Sequence, residues 1–211
     1  MSATALPSWK AAEVPLFPLR RFTVAEYHRM LEAGVLTEND PVELLEGWIA
    51  TKMPHNPNHD ATIDQAGEVL RERLPPGWRL RTQSAITTDD SEPEPDLAIV
   101  HGPPGRYATR HPGPEDIALL VEVADSSLAH DRDVKGRLYA RAGIAAYWII
   151  NLVDMQVEVY TSPSGKTSHP GYQQRATYLT GMGVPLSIAG TSEVPVAVHD
   201  LLVPRPARAR P

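Results

Sequence analysis

The chain has 211 residues, 42% hydrophobic and 22% charged, which suits one domain with tails and a sizeable core. It has no cysteine; this excludes disulfides, thiolate metal sites and a cysteine nucleophile, and it suits a reducing cytoplasm. The net charge of −6 excludes the bulk positive field of a non-specific nucleic-acid binder. Residues 203–211 carry three arginines (Arg205, Arg208, Arg210) and no acid, so the body is more acidic still.

Residues 1–21 contain three prolines, little periodicity and no apolar core of a signal peptide, and they read as an N-terminal arm. Thr23-Val24-Ala25-Glu26 is a capping box that opens a helix, with Tyr27, Met30 and Leu31 on one face and Gly34 as the stop. Residues 42–45 and 48–53 read as a hairpin across Glu46-Gly47. His55 and His59 flank Pro57 in a loop, and the proline argues against a helical metal-binding pair, so a zinc site is not expected there. Asp60 or Asn58 caps the next helix, which runs along Ile63, Ala66, Leu70 and Leu74 to Pro75-Pro76-Gly77.

Residues 78–87 alternate as a strand. Two apolar strands follow, each marked by an acid: Asp96 opens 97–100, and Glu122 interrupts 117–123. Between them, 101–114 reads as a mobile Pro/Gly-rich loop, and its Arg106 and Arg110, with the basic tail, are the expected phosphate contacts. Asp131 or Asp133 starts a helix closed by Gly143, and 144–151 is a nearly all-apolar strand with 155–161 as its hairpin partner. Short strands at 172–180, 184–188 and 194–198 are expected to complete the sheet. The longest apolar run, 144–153, contains Asn151 and is too short to span a bilayer, so a soluble cytoplasmic protein without membrane association is expected.

Lys135, Leu138, Tyr139 and Ala142 share one helical stripe, which aims the lysine at the core. An ammonium there meets an interior acid or snorkels to water. Packed back over the preceding strand, Lys135 approaches Glu122 and Asp96. Two buried carboxylates about 4 Å apart repel by roughly 4 kcal/mol at an effective dielectric near 20, so either one carboxyl is protonated or a cation sits between them. Two carboxylates and a lysine suit Mg²⁺ or Mn²⁺ and the stabilisation of charge at phosphorus. The plainer alternatives are a turn role for Asp96 and a structural Glu122–Lys135 ion pair.

Several landmarks recur together: Val42-Glu43-Leu44-Leu45-Glu46-Gly47, His59 before a helix, Pro95-Asp96-Leu97-Ala98-Ile99-Val100, and Leu120-Val121-Glu122-Val123. Asp131-x-x-x-Lys135-x-x-x-Tyr139 and Gly143-Ile144 before Tyr147-Trp148-Ile149-Ile150 complete the set. In this order they resemble the Uma-type endonuclease family of the PD-(D/E)XK restriction-endonuclease-like superfamily, from about Phe22 to Tyr160. The resemblance implies an α/β fold, a central mixed sheet flanked by helices, in a single domain over 22–202. It implies Asp96 and Glu122 as metal ligands, Glu43 as a further acid that binds the metal or orients its water, and Lys135 as the site lysine, moved from strand to helix. A metal-dependent cut in nucleic acid follows, with DNA favoured over RNA and a homodimer suited to duplex cutting. Where the superfamily has its lysine two residues after the glutamate, this chain has Ala124, and Ala124-Asp125 replaces the family's usual Ser-Pro. The alternative is an inactive nuclease fold that binds nucleic acid or a protein partner.

Overall fold

Alternate residues of one central strand face opposite cores, and this arranges the elements around it. A computed structural model of the chain describes residues 18–37, 39–188 and 194–204. Residues 1–17 of the expected arm (1–21) and the arginines of the tail (within 205–211) lie outside these. The described elements are α1 (Val24–Glu32), β1 (Val42–Leu45), β2 (Trp48–Thr51), α2 (Pro57–Arg71), β3 (Trp78–Thr82), β4 (Leu97–His101) and β5 (Ile117–Ala124). There follow α3 (Leu128–His130), a π-helical stretch (Asp131–Lys135), α4 (Gly136–Ala142), β6 (Ala146–Asn151), β7 (Gln156–Pro163) and β8 (Tyr172–Leu179). The series closes with β9 (Gly183–Leu186), β10 (Val194–Ala197) and α5 (Val198–Leu201).

Among the described residues, six strands form one sheet in the order β3-β4-β5-β6-β7-β8, antiparallel except for the parallel pair β5–β6. All of β5 is buried. Its period of two sends Leu119, Val121 and Val123 into a core shared with Ile63, Ala66 and Leu70 of α2 and with β9, β10 and α5. Leu120 and Ala124 face the other core, with Leu138, Tyr139, Ile144 and Tyr147. Each such buried aliphatic side chain contributes about 1.5–3 kcal/mol. Glu122 occupies the position between Leu120 and Ala124, so its carboxylate points to the second face.

A parallel pair cannot be joined by a tight turn. The connection from β5 to β6 therefore runs through α3, the π-helical stretch and α4, and this lays Lys135 over the face that holds Glu122. Two ionic clamps fix the connection. Arg132 grips Glu158 of β7 with both arms of its guanidinium (Nε to Oε2 3.0 Å), and Arg175 of β8 adds a bond of 2.9 Å. On the other side, Arg137 donates to both oxygens of Glu46 at 2.5 and 2.7 Å, and Arg141 lies 3.2 Å from Glu46 Oε1. Glu46 (φ 50°) and Gly47 (φ 80°) make the left-handed turn of the β1–β2 hairpin. A Cβ on Gly47 would come 2.9 Å from the Phe22 carbonyl oxygen, so glycine is required there on two counts. The clamp thereby holds β1, with Glu43, over the crossover.

The hairpin and the capping box agree with the sequence-based expectation, β3 stops at Thr82 where a strand to residue 87 is expected, and four further details differ. Asn56, not Asp60 or Asn58, caps α2, because Pro57 is well placed at the first helical position. The crossover helix begins at Leu128 and not at Asp131 or Asp133; the Asp131 amide donates to Ser127 O, which puts Asp131 inside the helix. β9 and β10 form their own two-stranded sheet and do not extend the main one. Arg106 and Arg110 are engaged with the buried Asp116 at 2.6 and 2.7 Å, and the 101–114 segment holds a short 3-10 turn.

Burial alone would raise the pKa of Glu158, but bonds from Arg132, Tyr160 and Asn151 and the charge of Arg175 win and lower it from 4.5 to about 2. A carboxylate whose pKa is lower folded than unfolded stabilises the fold above about pH 4.5 and loses that contribution as the pH falls towards 2. Glu158→Gln should therefore be less stable by about 1–2 kcal/mol at neutral pH, with the gap closing across that acid window in urea titrations. A gap that does not change with pH would contradict this account.

Candidate active site

Asp96 lies one residue before β4, and the pairing Leu97↔Val121 sets it beside Glu122 of β5. The two acids then satisfy each other's strands. The Asp96 amide donates to Glu122 Oε2 at 3.3 Å, and the Val123 amide donates to Asp96 Oδ2 at 2.8 Å. From the crossover, Lys135 Nζ donates to Glu122 Oε1 at 3.0 Å, and one turn later the Tyr139 hydroxyl donates to the same oxygen at 2.7 Å. From the hairpin, Glu43 Oε2 lies 3.7 Å from Lys135 Nζ and accepts the Glu94 amide at 3.1 Å. From α2, His59 Nε2 lies 3.4 Å from Asp96 Oδ2.

The structure thus brings together all four residues singled out in the sequence: Asp96, Glu122, Lys135 and Glu43. It adds Asp131, which bonds the Ser127 hydroxyl and feels both Lys135 and Asp96. It also adds Tyr139 and His59. The signal for two of these was the four-residue spacing of Asp131, Lys135 and Tyr139, which places all three along one side of a helix. His59 falls inside α2 and not in the loop before it. The four acids, Lys135 and His59 are each only 4% to 7% exposed.

Four acids against one lysine and one histidine leave an excess of negative charge in a poorly solvated place. Burial is the main cause that pushes the Glu122 carboxyl up, to about 8; Lys135 opposes the shift, and Asp96 and Asp131 add to it. Burial likewise raises Asp131. For Lys135, burial favours the neutral amine, but Glu122, Glu43 and Asp131 overturn that and raise its pKa, so it stays an ammonium. It serves as a fixed positive charge and is a poor proton acceptor. Burial holds Tyr139 well above its ordinary range, so its hydroxyl remains a donor. Burial would lower the pKa of His59, but Asp96 and Asp60 reverse this and raise it.

These acids line a cleft of about 560 Å³ bordered by β2, the start of α2 and the crossover. The donor set is oxygen-rich, carries uncompensated negative charge and is open on one side, which fits a hard divalent cation. Among the described residues no helix is long and apolar enough to cross a membrane.

Comparison with known proteins agrees with this picture. No curated protein matches the chain. Among solved structures, a "putative nuclease belonging to DUF820" from Anabaena variabilis ATCC 29413 superimposes with a TM-score of 0.65 at 18% identity, over 85% of this chain and 97% of that one. At that identity the likeness shows the fold, which is restriction-endonuclease-like. The family model Uma2, described as "Putative restriction endonuclease", matches residues 24–194. The chain belongs to the Uma2 family.

Proposed function

We propose that this protein is a metal-dependent endonuclease that hydrolyses phosphodiester bonds of nucleic acid, DNA in preference to RNA, using Mg²⁺ or Mn²⁺. The observation that supports it most is the convergence of Asp96, Glu122, Glu43 and Lys135, from three strand regions and a helix, on one cleft. A single domain over 22–202 would do this work in the cytoplasm, and a homodimer would supply the two sites that a duplex cut needs.

In this reading Asp96 and Glu122 hold the ion, and Glu43 holds or orients the water beside it. The ion, when bound, supplies Lewis acidity towards the scissile phosphate and the attacking water. The Lys135 ammonium is already charged and placed, so it stabilises the negative charge that builds on the phosphoryl oxygens as the ester bond breaks. Tyr139 fixes the Glu122 carboxylate from behind and keeps it aimed at the cleft. The fixed charge of Lys135 gives it an electrostatic role and leaves the general-base role open to a group with a lower pKa.

Purified protein should nick or linearise plasmid DNA with Mn²⁺ and not with EDTA. Asp96→Asn and Lys135→Met should each lower the rate at least about 100-fold, with far-ultraviolet circular dichroism unchanged. Undiminished cutting by Asp96→Asn would overturn the proposal.

The buried pair also predicts a stability pattern in metal-free protein. Lys135→Met should cost about 3 kcal/mol, because it leaves Glu122 buried without its partner. Adding Glu122→Gln should recover at least about 1 kcal/mol of that loss. Strict additivity of the two substitutions would mean that the pair is not coupled in solution.

A further inference from the structure

Beside the carboxylate cluster, on the same cleft, the start of α2 gathers two imidazoles and a carboxylate that the proposed reaction does not use as ligands. His55 Nδ1 and His59 Nδ1 each lie 3.5 Å from Asp60 Oδ1, and a ligand atom from each of the three residues falls within 4.8 Å of the others. The two rings sit 4.3 Å apart, centre to centre. Pro57, which argues against a helical pair, is what makes this possible: His55 lies outside the helix and folds over its first turn, where His59 sits inside.

We propose that His55, His59 and Asp60 form a second cation site, selective for a borderline divalent ion such as Zn²⁺ or Co²⁺. Three features support it. Two ligands at about 2.1 Å from a tetrahedral ion stand roughly 3.4 Å apart, close to the two nitrogen–oxygen separations observed. His59 also turns its other nitrogen, Nε2, to Asp96 Oδ2 at 3.4 Å. A proton on Nε2 shared with that carboxylate leaves a lone pair on Nδ1, which is the carboxylate–histidine–metal arrangement of histidine ligands. Finally, Gln83 Nε2 lies 3.3 Å from His55 Nδ1 and helps to hold that ring over the first turn of α2. Both Nδ1 atoms face Asp60 Oδ1, so an ion bound there takes the place of a proton shared with that carboxylate. The helix N-terminus disfavours a cation by about 0.3–1 kcal/mol, which the Asp60 carboxylate offsets.

The two sites differ in donor chemistry. Oxygen donors around Asp96 suit hard Mg²⁺ or Mn²⁺, while two imidazoles and one carboxylate suit Zn²⁺ or Co²⁺. They are joined through the His59–Asp96 contact, so an ion on His59 Nδ1 makes its Nε2–H a fixed donor and locks the Asp96 side chain. The inference goes beyond the proposed reaction and does not depend on it.

Co²⁺ titrated into the full chain under excess Mg²⁺, followed by visible ligand-field absorption, tests this directly. The wild type should show a band of an imidazole-bound ion, retained in Glu122→Gln. His55→Ala, in which a partly exposed side chain is removed, should weaken Co²⁺ affinity at least roughly tenfold with its far-ultraviolet spectrum unchanged; Asp60→Asn serves if His55→Ala misfolds. Absence of the band in the wild type, an unchanged affinity in His55→Ala, or loss of the band in Glu122→Gln or under Mg²⁺ would each overturn the second site. Failure of the nuclease reading would show separately, as DNA cutting that survives Asp96→Asn.

Discussion

The carboxylate of Glu122 is buried on a sheet face that is otherwise apolar, and the ammonium of Lys135 is the nearest positive charge that answers it. A lone ionised carboxylate at that position would cost several kcal/mol. The chain tolerates it because the crossover between two parallel strands must pass directly above, and a lysine on that crossover reaches 3.0 Å. The topology and the ion pair therefore explain each other. A parallel pair needs a helical connection, and the connection delivers the charge. Even so, the pair does not neutralise its surroundings, since Asp96, Asp131 and Glu43 are drawn into the same small volume.

That imbalance explains why the supporting structure is so firmly anchored. The crossover is tied to the sheet through Arg132 and Glu158, and to the first hairpin through Arg137, Arg141 and Glu46. Charged groups that repel one another would otherwise spread apart and admit water. The clamps lie away from the cleft, where their acids are matched by arginines. Stability is gained there and surrendered around Glu122, the usual division between a scaffold and a polar site.

How legible this was in the sequence depended on the kind of signal. Asp96 and Glu122 stood out because a charge breaks an apolar run, and Lys135 because it shares a stripe with Leu138 and Tyr139. Glu43 came into view only through likeness to a family, since an acid in a short hairpin has no distinguishing local pattern. Asp131 was misread as a helix start because capping and cleft-lining draw on the same residue type. Arg106 and Arg110 pointed to phosphate on charge alone, yet their partner is the buried Asp116, ten and six residues onward. The pairing of β9 with β10 was illegible for a similar reason. A strand pattern marks which face is buried and says nothing about which neighbour supplies the hydrogen bonds.

The π-helical stretch at Asp131–Lys135 carries a last consequence. Such a bulge accommodates one more residue than a regular turn, and each residue of a helix advances the side chains by about 100°. Because the bulge takes up the extra residue locally, the stretches before and after it keep their own faces, with Asp131 and Lys135 on the same cleft. A one-residue deletion within this stretch would relax it to a regular turn, whereas the same deletion at the start of α4 would turn Tyr139 away from the face it shares with Lys135.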